Sequence, residues 1–154
     1  MSETVLVCHT DGACSGNPGP ASIGVVIRQN GKIIKEIAKP IGEATNNIAE
    51  YTALIYALQE ALMLKASDVK IFTDSELMYK QVIGVYKVKH DNIKQLFEQV
   101  RHLIKGLKCF EIQHVPREQN KDADKLATDI LKSQAKVVAS LFDHSGEESP
   151  SSKG

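Results

Sequence analysis

The chain has 154 residues, of which 42% are apolar and 25% charged, and its formal net charge is zero. This length suits a single domain with its own core, and no apolar stretch approaches the roughly 20 residues that span a bilayer. The N-terminal residues lack the pattern of a signal peptide, so no membrane partner is expected. The cysteines (Cys8, Cys14 and Cys109) are too few and scattered for a disulfide framework or zinc site, which favours a reducing, cytoplasmic setting.

Five segments have the β-branched and apolar patterns of strands. They are predicted at Thr4–Thr10, Ile23–Arg28, Lys32–Ile41, Val69–Thr73 and Lys108–Val115. Asn30-Gly31, between the second and third strands, is a strong hairpin signal, and Pro40 and Gly42 are expected to close the third strand. The chain therefore opens with an antiparallel meander.

Apolar residues at helical spacing predict four helices between and after these strands. They are predicted at Ile48–Lys65, Ser75–Ile83, Asn92–Ile104 and from an Asn120 cap to about Ala135. This order predicts an α/β fold with a mixed five-stranded sheet, antiparallel in strands 1–3 and parallel in strands 4–5, flanked by helices. One domain is expected over residues 1–136. Residues 137–154 are expected to be a partly disordered tail, with Val137–Phe142 open between helix and tail.

Four acidic residues lie where predicted elements begin or end. Asp11 and Asp74 follow strands, while Glu50 and Asp124 lie in the first turn of helices. Because functional sites of such sheets lie at the carboxyl ends of strands, the four are expected to converge. Converging carboxylates repel one another unless a cation lies between them, and a set without His or Cys favours Mg²⁺ or Mn²⁺.

Each acid also has an ordinary explanation. Asp11-Gly12 could form a plain turn, Glu50 could belong to a capping box, Asp74 could cap a helix, and Asp124 could complement a helix dipole. On spacing alone, Asp122 is as good a candidate as Asp124. The sequence pattern by itself leaves that choice open.

The residues around the four acids resemble the motifs of the type 1 ribonuclease H family. The matching segments, in chain order, are Thr10–Gly19 (TDGACSGNPG), Thr45–Glu50 (TNNIAE), Thr73–Ser75 (TDS) and Asn120–Ala127 (NKDADKLA). The resemblance covers about Val5 to Ile130 and implies a ribonuclease H-like fold. It also implies that the metal ligand in the last motif is Asp124 rather than Asp122.

By this resemblance the chain is expected to cut the RNA strand of an RNA–DNA hybrid endonucleolytically, leaving 5′-phosphate and 3′-hydroxyl ends. Two Mg²⁺ ions, which Mn²⁺ can replace, would lie about 3.5–4 Å apart between the carboxylates. Asp11 would bridge both ions, Glu50 and Asp74 would hold the ion at the leaving group, and Asp124 the ion at the nucleophile. Glu50 is also the natural group to sense a 2′-hydroxyl. The chain is expected to act as a monomer.

Substrate contacts are expected from the glycine-rich segment after Asp11 and from the second motif. The resemblance assigns these contacts to Gly12, Cys14, Asn17, Thr45, Asn46 and Asn47. Family members often have a histidine about ten residues before the last Asp, and His114 has that spacing. The segment after it lacks the usual glycine-rich loop, and compact members use an arginine instead, here Arg117. Both remain candidates.

The segment from Lys80 to Lys108 carries seven Lys or Arg residues against two acids, which is compatible with a phosphate backbone lying on it. Its ordinary interpretation is a solvated helical surface. The chain has no Trp, and residues 84–90 are too short for the basic protrusion that many bacterial members carry. Binding of the hybrid is therefore expected to depend on Lys87, Lys89 and their neighbours. The alternatives are a nuclease that cuts double-stranded RNA, an exonuclease, and a non-catalytic nucleic-acid-binding module.

Overall fold

The computed structural model describes residues 3–152 of the chain, and side chains through residue 142. Its sheet has the order β3-β2-β1-β4-β5, with β1 paired antiparallel to β2 and parallel to β4. The strands are β1 (Val5–Cys14), β2 (Gly19–Gln29), β3 (Lys32–Ala44), β4 (Asp68–Thr73) and β5 (Cys109–His114). The predicted mixed five-stranded sheet is confirmed.

Helices cover both faces of this sheet. The helices are α1 (Asn46–Met63), α2 (Glu76–Val82), α3 (Asp91–Ile104) and α4 (Lys121–Ser152), the last preceded by a 3₁₀ turn at Arg117–Gln119. Ile23 and Val25 of β2 join the core that α1 forms with the sheet, whereas Gly24 between them faces α4. Alternate β2 residues thus pack against different helices, as the two-residue period of a strand requires. No helix within the described residues is long and apolar enough to cross a membrane.

Two strands extend further than the sequence predicts. β1 continues past Thr10 to Cys14 because Asp11–Cys14 pairs with residues 21–24 of β2. β3 continues through a bulge beside Ala21 to Ala44, and Gly42 adopts φ 79° there. The expectation that Pro40 and Gly42 close β3 is wrong, because an edge strand tolerates a proline and a bulge accommodates the extra residue.

The last helix is longer than the predicted end near Ala135. α4 runs to Ser152, so Val137–Phe142 is helical, as is the segment up to Ser152 that was expected to be partly disordered. No Gly or Pro interrupts the chain between Asn120 and Phe142, which removes the strongest local reasons for a helix to stop. Residues 153 and 154 of the expected tail lie outside the described residues.

Candidate active site

Three of the predicted carboxylates meet beside the ends of the two central parallel strands. Thr10 of β1 is paired with Thr73 of β4, so Asp11 and Asp74 leave the β1–β4 ladder at the same level. Glu50 reaches them from α1, and carboxylate oxygens of Asp11, Glu50 and Asp74 lie within 4.8 Å of one another. The strand register therefore creates the convergence that the sequence predicts.

Gly12 allows α1 to approach β1 closely enough to place Glu50. A Cβ added at Gly12 would lie 2.6 Å from the Ala49 carbonyl carbon. The Gly12 backbone N–H donates to Glu50 Oε1 at 3.2 Å, which fixes the carboxylate beside Asp11. Any larger residue at position 12 would push α1 and its carboxylate away from the strand.

Asp124 of α4 completes the acidic wall of a cavity of about 490 Å³, which Asp11, Glu50 and Asp74 also line. Asp122, which the spacing allows equally well, does not line this cavity. Its carboxylate forms an ion pair with Arg28 of β2 at 2.5 Å. The geometry thus supports the choice of Asp124 over Asp122.

The ordinary explanations for Glu50 and Asp74 do not describe this structure. Helix α1 is capped by Thr45, whose hydroxyl accepts from the Ile48 N–H, so Glu50 lies beyond the first turn. Helix α2 is capped by Ser75, whose hydroxyl accepts from the Met78 N–H at 3.2 Å. Neither acid is needed as a helix cap, and both are available to a ligand.

Burial and mutual repulsion raise the pKa values of the three clustered acids. Burial raises the pKa of Asp11 to about 10, with the charges of Glu50 and Asp74 and a hydrogen bond with Asp124 adding to the effect. Burial also raises the pKa of Glu50 to about 8, and the charge of Asp74 contributes. A cation bound among these oxygens would lower these pKa values, because it favours the charged form of every carboxylate. An all-oxygen set of this kind fits Mg²⁺ or Mn²⁺.

Comparison with known proteins identifies the family. The family model described as "Reverse transcriptase-like" matches residues 9–130. A relative named "Ribonuclease HI" from Halobacterium salinarum is 41% identical over 124 residues, covering 80% of this chain and 62% of the relative. The crystal structure of RNase H1 from that archaeon has a TM-score of 0.82 and 38% identity, covering 84% of this chain and 98% of its own. The chain belongs to the type 1 ribonuclease H family.

Two further members of the ribonuclease H family are informative. The "Bifunctional protein Rv2228c" of Mycobacterium tuberculosis is 36% identical over 154 residues and covers 97% of this chain, which spans only 42% of that relative's length. The structure of LC11-RNase H1 in complex with an RNA/DNA hybrid has a TM-score of 0.80 and 39% identity, covering 84% of this chain and 99% of its own.

Three of the residues that the ribonuclease H motifs assign to substrate contact line the cavity, and two others lie beside them at the start of α1 and in the β1–β2 hairpin. Asn17 accepts from the Asn46 N–H at 2.9 Å, which links the β1–β2 hairpin to the start of α1. Cys14 Sγ lies 3.0 Å from the Ala44 carbonyl oxygen, at the other side of the same junction. Gly12, Cys14 and Asn46 line the acidic cavity, while Thr45 caps α1.

Asn47, Lys87 and Lys89 line a second cleft, of about 510 Å³. Both lysines are exposed in the segment between α2 and α3. Because Asn46 lines the acidic cavity and Asn47 the second cleft, the start of α1 lies between the two. The part of the predicted basic segment that carries Lys87 and Lys89 therefore lies across the start of α1 from the acidic cavity.

His114 and Arg117 both line the acidic cavity, but they make different contacts. The His114 ring stacks on Tyr79 with centroids 6.0 Å apart. The Arg117 guanidinium lies 3.5 Å from Asp124 Oδ1, and its charge offsets part of the rise in pKa that burial causes at Asp74 and Glu50. Their part in turnover stays a prediction.

One residue at this site was missed as a site residue by the sequence interpretation. Asn120 was assigned only a helix cap and a motif position, yet its side-chain amide donates to the Thr10 carbonyl at 2.9 Å. It is buried, with 1% of its surface exposed. The only signal in the sequence is a polar residue four positions before the assigned ligand Asp124, and the contact partner lies 110 residues away.

Proposed function

We propose that this chain hydrolyses the RNA strand of RNA–DNA hybrids, cutting within the strand and leaving 5′-phosphate and 3′-hydroxyl ends. The observation that carries the proposal is the meeting of Asp11, Glu50 and Asp74 within 4.8 Å in one open cavity, with Asp124 on its wall. The complex of LC11-RNase H1 with an RNA/DNA hybrid supports the substrate class.

Two divalent cations, Mg²⁺ or Mn²⁺, fit this site because its donors are carboxylate oxygens whose repulsion a cation relieves. Asp11, Glu50, Asp74 and Asp124 would hold them. The chemistry that such a pair would supply is activation of a water for attack on phosphorus and stabilisation of the departing 3′ oxygen. All four carboxylates come from one chain, which supports a monomer as the active form.

The protein groups at the cavity would position the carboxylates and select the RNA strand of the hybrid. The Gly12 N–H holds Glu50 in place, where its carboxylate is suited to contact a 2′-hydroxyl that a DNA strand lacks. The hairpin residues Cys14 and Asn17, together with Asn46, form a rim of small polar groups that suits a shallow minor groove. Recognition would depend on the shape of the duplex rather than its sequence.

Arg117 is the better placed of the two candidates for assisting turnover. Its guanidinium is 78% exposed and lies against Asp124, where a positive charge can contact a phosphate. His114 is held against Tyr79 instead. We expect Arg117→Ala to lower kcat about tenfold or more, the usual loss when a supporting partner is removed at a metal site. His114→Ala should lower kcat less. Single-turnover cleavage of the two variants would decide; a larger effect of His114→Ala would contradict the assignment.

The test of the proposed function is cleavage of an end-labelled RNA–DNA hybrid, with and without Mg²⁺ and with duplex DNA and duplex RNA as controls. We expect internal cuts in the RNA strand of the hybrid alone, dependent on the metal. Asp11→Asn, purified in parallel, excludes a contaminating nuclease. Failure to cut the hybrid with Mg²⁺ and with Mn²⁺ would contradict the proposal, and equal cutting of duplex RNA would change the substrate class.

A further inference from the structure

Asn120 occupies the junction between the 3₁₀ turn and α4, directly behind the acidic cavity. Its side chain is buried, and its Nδ2 donates to the main-chain carbonyl of Thr10 at 2.9 Å. Thr10 is the residue before Asp11, so this bond ties the last segment of the fold to the strand position that presents Asp11. The two residues are 110 positions apart in sequence.

The same residue also contacts the helix turn that carries Asp124. The Asn120 main-chain carbonyl accepts from the Asp124 N–H at 3.1 Å, which starts α4 in the turn that presents Asp124. Burial raises the pKa of Asp74, and the Asn120 side chain offsets part of that rise. By its hydrogen bonds, Asn120 connects the strand position that presents Asp11 with the helix turn that presents Asp124.

Docking of α4 alone does not require an amide at this position. Among the described residues, Asn120 Oδ1 has no hydrogen-bond partner although it is buried. Helix α4 is already held to the sheet by the buried hydroxyl of Ser22, which donates to the Ala127 carbonyl at 2.5 Å. The buried amide is therefore best explained by its Nδ2 donor, which bonds to the strand that carries Asp11.

We propose that Asn120 is a positioning residue that sets the relative placement of Asp11 and Asp124 for binding divalent cations. This inference rests on the proposed function, since it gives the carboxylates a metal to hold. It predicts that loss of the Asn120 amide weakens binding of the metal itself. Recognition of the hybrid depends on the rim and the second cleft, and it should change little.

The test compares Asn120→Ala and Asn120→Leu with the wild-type chain by calorimetric titration with Mn²⁺ alone, without nucleic acid. We expect both variants to bind Mn²⁺ about 10- to 100-fold more weakly, the usual loss when a partner of a metal ligand is removed. The branched leucine side chain fills the space of the amide without offering a donor, so it separates loss of the donor from loss of packing. In hybrid cleavage, kcat should fall by a similar factor while KM stays within about twofold.

Ser22→Ala is the matched control, because it also removes one buried hydrogen bond between the sheet and α4. We expect this variant to lose stability but to keep the Mn²⁺ affinity of the wild type. Wild-type affinity in a folded Asn120 variant, or an equal loss in Ser22→Ala, would overturn the inference. Wild-type protein that binds Mn²⁺ but does not cut the hybrid would contradict the proposed function alone, and wild-type protein that does not bind Mn²⁺ would contradict both.

Discussion

The charged forms of Asp11 and Glu50 destabilise the metal-free fold. The pKa values of Asp11 and Glu50 are raised to about 10 and about 8, above the value of about 4 that applies in an unfolded chain. The folded state therefore holds protons that the unfolded state releases. The resulting stabilisation is complete below about pH 4 and is lost as the pH rises through the raised values.

This fall in stability with rising pH leads to a prediction for Asp11→Asn. In metal-free wild-type protein, the free energy of unfolding should fall as the pH rises from about 6 to about 9. The variant should show a weaker fall and higher stability at about pH 9, because one member of the repelling cluster is neutral. Urea unfolding in the presence of a chelator measures both effects. An unchanged pH slope in the variant would show that Asp11 is not the source of the repulsion.

The neighbouring acids of α4 offer a matched pair of substitutions. Asp124→Asn should lower kcat at least about 100-fold, because loss of an outer partner alone costs about 10- to 100-fold at metal sites. Asp122→Asn removes only an ion pair with Arg28 at the surface, so activity should stay within about twofold and stability within about 1 kcal/mol. Steady-state hybrid cleavage and urea unfolding check the two variants. The reverse ranking of activity would make Asp122 the ligand.

At the scale of elements, the approach of α4 to the sheet places Asp124. Ala123 and Ala127 are fully buried against β2, and Gly24 leaves room for them. A Cβ on Gly24 would lie 2.2 Å from the Ala123 carbonyl oxygen and 2.8 Å from the Ala127 nitrogen. Since the obstacles are helix backbone rather than side-chain ends, α4 would have to move as a unit.

Gly24→Ala should therefore destabilise the protein by about 1–3 kcal/mol and reduce kcat by displacing Asp124. Gly106→Ala is the control, because a Cβ there approaches side-chain atoms of Leu62 at 3.0 Å that can move aside. We expect a smaller loss of stability in the control and wild-type activity per folded molecule. Urea unfolding with parallel hybrid cleavage measures both. Equal effects of the two substitutions would contradict this account of helix placement.

At the scale of the whole molecule, sequence patterns predicted the features that depend on residues close together in the chain. The periodicities predicted the elements, and the motifs around Asp11, Glu50 and Asp74 predicted which residues share a cavity. The continuation of β1 to Cys14 depends on its pairing with β2, and the contact of Asn120 with Thr10 depends on the assembled sheet. Such features arise only from tertiary contacts, which a pattern along the chain does not contain.

The distribution of charge is compatible with the proposed binding of a polyanion by a chain of zero net charge. Lys87 and Lys89 lie exposed at a cleft that borders the start of α1, so they can contact phosphates while the acidic cavity would hold the proposed cations. Each phosphate contact releases about one counterion, which makes affinity depend on salt. Loss of these lysines should therefore change binding much more than chemistry.

We expect Lys87→Ala and Lys89→Ala each to weaken hybrid binding and to reduce the slope of log affinity against log salt by about one. Fluorescence anisotropy across a salt series, in an Asp11→Asn background that prevents cleavage, measures both quantities. Lys32→Ala, an exposed lysine at the start of the edge strand β3, is the charge-matched control and should lose less affinity. In the active background, KM should rise while kcat at saturating hybrid stays within about twofold. An unchanged salt slope in both cleft variants would place the path of the hybrid elsewhere on the surface.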